Sequence, residues 1–193
     1  MLRGLYDWTM RLSAHPHALW ALAAISFAES SFFPIPPDVL LMPMVLAARR
    51  RAWLIAGVCT VASVAGAFAG YGIGAGLFDL LGKPILEFYH AADKFDWVRQ
   101  QYNENGVLIV FSAGFSPIPY KVFTIASGVT GMDPLSFGLA SVVSRGARFF
   151  LVAGLLWWFG EPIRAFIEKH LGKLTLLFVV LLVGGFVAIR YLL

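Results

Sequence analysis

The stretch Phe33-Pro34-Ile35-Pro36-Pro37-Asp38-Val39 has a counterpart later in the chain, Ser116-Pro117-Ile118-Pro119-Tyr120-Lys121-Val122, and both sit inside apolar sequence. An unpaired backbone N–H or C=O in lipid costs several kcal/mol, so a proline break at membrane depth is tolerated only where protein or a water-filled cavity covers it. Two such breaks, in corresponding places of two halves, are the pattern expected of a site built from discontinuous helices. One copy carries an acid, Asp38, where the other carries a base, Lys121.

The rest of the sequence fits that setting. Apolar residues make up 59% of the 193 and charged ones 13%, against about 25% charged in an ordinary soluble domain. Residues 52–78 hold no charge at all over 27 positions, more than the roughly 20 that span a hydrocarbon core of about 30 Å. Residues 134–160, interrupted by Arg145 and Arg148, and 174–193, interrupted by Arg190, are further candidate spans. No cleavable signal segment is evident: the first apolar run starts after Arg11, carries His15-Pro16-His17 and leads straight into the proline turn, so the N-terminus is expected to be retained. The single cysteine, Cys59, falls inside a span and excludes an intrachain disulfide.

The spacing predicts an all-α integral membrane protein of one domain over residues 1–193. Residues 1–11 mix Leu, Tyr, Trp and Met with Arg and Asp at helical spacing, as an interfacial amphipathic helix does. Residues 12–48 follow as a hairpin. Its second arm has only about ten apolar residues before Arg49-Arg50-Arg51, which rise about 15 Å as a helix, half a bilayer. The expected form is therefore re-entrant, one arm going in, the prolines turning it at mid-depth, and the other arm returning to the same face. Residues 52–80 cross, and 83–105 form an extramembrane helix or loop with Glu87, Asp93, Asp96 and Glu104 against Lys83, Lys94 and Arg99. A second re-entrant hairpin over 106–132, a span over 134–160 and an extra C-terminal span over 174–193 complete the chain. Basic residues before the first crossing (Arg3, Arg11, Arg49–Arg51) and after the second (Arg164, Lys169, Lys173) fit a cytoplasmic N-terminus. The two hairpins then open from opposite faces, as inverted repeats do.

Five ionisable residues remain in apolar surroundings: Glu29, Asp38, Lys121, Arg145 and Arg148. Each costs at least about 2.5–3.5 kcal/mol at a helix centre on insertion scales, so they are expected to face inward and pair. The bland account is that the acids neutralise two of the bases and pin the hairpins. For Asp38 it is stronger, because an acid in the first turn after Pro36-Pro37 is also a good helix start. The sharper account makes Lys121, Arg145 and Arg148 an anion site suited to phosphate, the arginines sharing a helix face at i, i+3. Glu29 and Asp38 are then the proton-coupling groups, Glu29 foremost. With both acids ionised the five side chains sum to +1; with one protonated, to +2.

Weaker signals point to packing rather than chemistry. Gly66, Gly70 and Gly74 recur every fourth residue, a close helix-packing face, while Trp53, Trp157, Trp158 and Phe159 fall where interfacial aromatics anchor. His15, His17, His90 and His170 have no ligand spacing, so no metal and no other cofactor is expected. No phosphate loop, nucleophile arrangement or carboxylate pair of a hydrolase stands out, and an enzyme is not expected.

Residues 27–43, with Glu29 and Pro34-Ile35-Pro36-Pro37-Asp38, and 114–128, with Phe115-Ser116-Pro117-Ile118-Pro119-Tyr120-Lys121 and Ala126-Ser127-Gly128, resemble the two re-entrant hairpins of the DedA superfamily. This is also called the VTT or SNARE-associated-domain family, and its YqaA-like bacterial branch is the most similar. The resemblance covers roughly residues 20–160. It implies a multi-pass inner-membrane protein that moves phospholipid or polyprenyl-phosphate carrier across the bilayer, as a flippase or scramblase, often linked to the proton motive force. By position Glu29 and Asp38 match the acids of hairpin one and Arg148 the base of the helix after hairpin two. Many members carry arginines flanking the Phe-x-Pro of hairpin two, where this chain has Gly114 and Tyr120 with Lys121 nearby; lysine offers a point charge where arginine offers a bidentate fork. The expected partners are lipid phosphate headgroups and protons, with no nucleic acid, and a homo-oligomer is compatible with the chain. Two other classes stay open: a secondary transporter of a small anion or solute, for which few Ser, Thr, Asn or Gln lie inside the spans, and a membrane scaffold without transport.

Overall fold

The structure, a computed structural model, describes residues 17–33, 35–78, 80, 84, 92–115, 119–160 and 162. The expected amphipathic helix over 1–11, the C-terminal span over 174–193, and Pro34 and Pro117 lie outside the described residues. Every described element is helical, in agreement with the expected class. In chain order these are α1 (Ala18–Ser31), α2 (Asp38–Ala47), a 3-10 turn (Arg49–Arg51), α3 (Ala52–Leu77), α4 (Ala92–Phe115), α5 (Tyr120–Thr130) and α6 (Pro134–Gly160).

Proline and its neighbours set the helix ends. α1 stops where the N–H groups of Phe32 and Phe33 both turn back to the Ala28 carbonyl, at 2.9 and 2.7 Å; Phe33 precedes a proline and is driven out of the helical region. α2 begins on Pro36-Pro37, whose carbonyls accept from Val39 and Leu40 at 3.3 and 3.0 Å. Prolines are pre-shaped for a first turn, and Asp38 in that turn suits the positive end of the dipole. α5 ends in Gly131, left-handed at φ 64°, which closes the helix through its N–H to the Gly128 carbonyl. α6 starts on Asp133-Pro134: the Asp133 carboxylate accepts the Ser136 N–H at 2.8 Å. That bond holds the exposed Asp133 carboxyl below the usual aspartate range.

Two helices are long and apolar enough to cross a membrane, α3 with its preceding turn (29 residues from Arg49 to Leu77) and α6 (27 residues). They run antiparallel. The N-terminal half of α3 and the C-terminal half of α6 share one apolar cluster, in which Ile55, Ala56 and Cys59 meet Phe149, Ala153 and Leu156 together with Leu22 of α1 and Leu40, Leu41, Met44 and Val45 of α2. At the other ends of α3 and α6 a second cluster joins Ala67, Phe137 and Ala140 to Val110 of α4 and Tyr120 of α5. Each helical hairpin is thus seated on both long helices, the first at one end and the second at the other. α4 continues unbroken from the polar sequence around residue 92 to Phe115, so the arm of the second hairpin is the end of a longer helix.

The glycine ridge of α3 is where the hairpins come closest. A Cβ on Gly66 would overlap the backbone carbonyl of Phe27 in α1, one on Gly70 would overlap the Thr124 hydroxyl of α5, and one on Gly74 would overlap the Ile125 carbonyl. Gly128 of α5 meets the Tyr71 carbonyl of α3 in the same way. Backbone contact of this kind brings the charged ends of both hairpins into one neighbourhood.

A candidate ion-pair site between the hairpin tips

Between the two apolar clusters lies a polar layer built from the middle of the long helices. On α3, Ser63 falls one turn after Cys59 of the first cluster and one turn before Ala67 of the second. On α6, Ser144 and Arg145 fall between Ala140 and Phe149. The last turn of α1 and the first turns of α2 and α5 bring Glu29, Asp38, Tyr120 and Lys121 to that level.

The four charges of α1, α2 and α6 pair two by two. Arg145 Nη2 donates to Glu29 Oε2 at 2.7 Å, with side chains 2% and 11% exposed. Arg148 Nη2 donates to Asp38 Oδ2 at 2.6 Å, with side chains 17% and 15% exposed. Removing one partner of such a buried pair typically costs about 3–5 kcal/mol, because the other charge is left uncompensated. Asp38 Oδ1 is buried and has no hydrogen-bond partner among the described residues. Its acceptor capacity is therefore half used.

Arg145 is the most enclosed of the group. Its Nε donates to Ser63 Oγ at 2.7 Å, and its guanidinium carbon lies 4.6 Å from the Phe149 ring centre and 5.0 Å from that of Tyr120. Cation–π contacts of this length add to the ion pair when water is excluded. Ser63 Oγ also meets Ser30 Oγ at 2.7 Å, and Ser30 donates to Glu29 at 3.1 Å. Lys121 stands apart. Its ammonium donates to the Phe32 carbonyl at 3.3 Å, at the C-terminal end of α1 where the helix dipole favours a cation, and no carboxylate among the described residues pairs with it. Beside it Thr124 donates to the Ser30 carbonyl at 2.9 Å, so side chains of the second hairpin satisfy carbonyls at the end of the first.

The residues singled out in the sequence thus divide. Glu29 with Arg145 and Asp38 with Arg148 are brought together as neighbouring pairs on one face of α6, while Lys121 sits at the tip of α1 and joins neither pair. Of the turn prolines, Pro37 is fully buried, Pro36 supplies a carbonyl to the α2 start, and Pro119 caps α5. The hydroxyl groups are the surprise. Few were expected inside the spans, yet Ser26, Ser30, Ser31, Ser63, Thr124, Ser127, Ser141 and Ser144 are all fully buried. Tyr120, noted in the sequence only as a departure from the family pattern, lies under Arg145 and shares a 2.7 Å hydrogen bond with Ser141. A signal existed: Ser141, Ser144, Arg145 and Arg148 recur at i, i+3, i+4 and i+7, a polar stripe on an otherwise apolar helix. Among the described residues no three of His, Cys, Asp and Glu converge as metal ligands do.

Such an arrangement holds two strong cation–anion contacts at the meeting point of two broken helices, one of them reachable from outside. Residues 35–157 match the VTT domain. An uncharacterised protein of Haemophilus influenzae is 43% identical over 169 residues, covering 86% of both chains. Another, from Histophilus somni, is 38% identical over 170 residues, covering 86% of this chain and 87% of that one. No solved structure matches the chain. With the match running from the first proline turn through most of α6, the chain is a membrane protein that belongs to the VTT-domain, or DedA, family.

Proposed function

We propose that this protein moves phosphate-bearing lipid, phospholipid or polyprenyl-phosphate carrier, across the bacterial plasma membrane as a multi-pass flippase or scramblase. The observation that carries the reading is the Arg148–Asp38 pair at the start of a proline-broken helix, part-exposed and with a carboxylate oxygen unbonded. A lipid phosphate is a better partner for a guanidinium than a single carboxylate oxygen, since it accepts two parallel bonds. On arrival it takes Arg148 from Asp38, and Lys121 at the neighbouring tip adds a second positive charge. The released carboxylate, buried and unpaired, takes up a proton. Proton and lipid binding are then linked through the same cation.

The lengths of the arms support re-entrant hairpins. α1, α2 and α5 have 14, 10 and 11 residues, about 15–21 Å of rise each, short of the roughly 30 Å of a hydrocarbon core. The polar layer then lies near mid-membrane, and hairpins entering from opposite faces give it access from both sides. Arg50 and Arg51 are exposed just before α3, and basic residues at the end of a span support a cytoplasmic N-terminus.

The test is transbilayer movement of fluorescent phosphatidylglycerol and of labelled polyprenyl phosphate in proteoliposomes at two pH values. Movement above empty vesicles that changes with pH supports the reading. Rates equal to those of empty vesicles for both lipids remove it and leave the small-anion transporter and the scaffold.

A further inference from the structure

The two arginines of α6 lie one turn apart, and each holds a carboxylate of the first hairpin, but they differ in how far they are exposed. Around Arg145 every approach is filled by protein: Ser63 on Nε, Glu29 on Nη2, and the rings of Tyr120 and Phe149 close to the guanidinium. The arm it holds is fastened along its length. Ser26 of α1 donates to the Cys59 carbonyl at 2.7 Å, Ser30 meets Ser63 at 2.7 Å, and the Ser30 carbonyl accepts from Thr124. At Gly66 the backbones of α1 and α3 are in direct contact, with no space for a side chain between them.

Arg148 holds a different arm. The side chains of its pair are 17% and 15% exposed, against 2% for Arg145. α2 has only 10 residues and carries Pro43 in its interior, where the missing N–H removes a helical bond. No hydroxyl bond from α2 to α3 matches those of α1 among the described residues.

We infer that Arg145 is a positioning residue, fastening α1 to α3 and α6, and that of the two arginines Arg148 is the one that exchanges its carboxylate for a lipid phosphate. This rests on the transport reading above and narrows it. Arg145 acts through geometry: fixing Glu29 fixes the end of α1, the short proline turn carries that constraint to the start of α2, and Asp38 is thereby set opposite Arg148 one turn further along α6. A phosphate reaching Arg145 would have to part it from Ser63 and push back an aromatic ring. At Arg148 the phosphate approaches from the exposed side. The charge of Arg145 is then needed because Glu29 is charged, whereas the charge of Arg148 is needed by the substrate.

That difference is measurable with the full chain in proteoliposomes carrying fluorescent phosphatidylglycerol. Arg145→Gln should lose most transport, and the double variant Glu29→Gln/Arg145→Gln should regain at least about a third of it, because removing both members of a buried pair leaves no uncompensated charge. Arg148→Gln and Asp38→Asn/Arg148→Gln should both stay at the empty-vesicle rate. A Glu29→Gln/Arg145→Gln protein that keeps its wild-type unfolding temperature yet moves no lipid overturns the inference. A second measurement uses the wild-type protein and needs no variant to fold. Phenylglyoxal, read by mass spectrometry, should modify Arg148 and be slowed about fivefold or more by dioctanoyl phosphatidic acid, the probe offering the phosphate that the guanidinium fork prefers, while Arg145 stays unmodified. Modification of Arg145 that the same lipid slows overturns the assignment. Wild-type protein that moves no labelled lipid overturns the transport reading beneath it, and is told apart by the wild-type vesicles alone.

Discussion

Glycines on opposite faces of α3 should respond in opposite directions to the same substitution. At Gly57, Gly72 and Gly76 an added Cβ meets nothing within 4 Å, whereas at Gly74 it overlaps the Ile125 carbonyl oxygen and comes within 2.9 Å of the carbonyl carbon and 3.1 Å of Cα. Gly→Ala at an open helical position removes backbone freedom from the unfolded chain and stabilises by roughly 0.5–1 kcal/mol. At Gly74 the same gain is set against backbone overlap that no rotamer change relieves, and overpacking of a closed interface costs about 1–3 kcal/mol. The expected net is a gain of about 0.5–1 kcal/mol for Gly72→Ala and a loss of about 0.5–2 kcal/mol for Gly74→Ala. In a chain of this size 1 kcal/mol moves the midpoint by about 2–4 °C, so the two variants should separate by several degrees. The assay is thermal unfolding in detergent followed by tryptophan fluorescence, with phosphatidylglycerol movement measured on the same preparations. Gly74→Ala unfolding as late as Gly72→Ala would refute the close approach of α3 and α5, and with it the placement of both hairpin tips on one ridge.

Other outcomes follow from single features. Tags placed before Leu12 and after Arg51 should report the same side of the membrane and a tag near Asp93 the opposite side; a split between the first two would mean that residues 12–48 cross outright. In a pH series of lipid transport, Asp38→Asn should flatten the profile while Glu29→Gln, compared per folded protein, should keep the wild-type slope; the reverse result would make Glu29 the group that takes the proton. Asp133 stabilises α6 as a carboxylate, since its accepted hydrogen bonds hold its titration below the usual aspartate value. Its contribution is present above that value and is lost as pH falls through the lowered one. Asp133→Ala should therefore lower the unfolding temperature at pH 7, and by a smaller amount as the pH is taken below the usual aspartate value, as measured by a series of thermal melts; a loss that stays constant down the series would rule out the capping carboxylate.

The helical plan was legible because its causes are local. Charge-free length announces α3, and Pro134–Gly160 needs only two arginines forgiven to read as a span. The proline runs fix where α1 ends and α2 begins, and the recurrence of Gly66, Gly70 and Gly74 announced a packing face. That the buried acids and bases should pair was also legible, since bare charges in apolar surroundings are too costly to stand alone. Which acid meets which base was not. Glu29 reaches Arg145 across more than a hundred residues of chain, and that choice is made by how α1 is seated against Gly66 and Ser63. The serines were overlooked for a related reason: a hydroxyl in an apolar helix commonly bonds its own i−4 carbonyl, as Ser141 does, and nothing in the local sequence distinguishes it from Ser63, which reaches Arg145. Only the side-by-side placement of three helices turns separate hydroxyls into a layer.

The most direct measurement of the central claim is the initial rate of phosphatidylglycerol and polyprenyl phosphate movement by wild type, Arg148→Ala and Arg50→Ala, each checked for folded protein by size-exclusion chromatography. Arg50 is exposed and Arg148 holds Asp38 at 2.6 Å. The account predicts that wild type and Arg50→Ala move at least one of the two lipids faster than empty vesicles, and that folded Arg148→Ala does not. Folded Arg148→Ala moving lipid at the wild-type rate would contradict it.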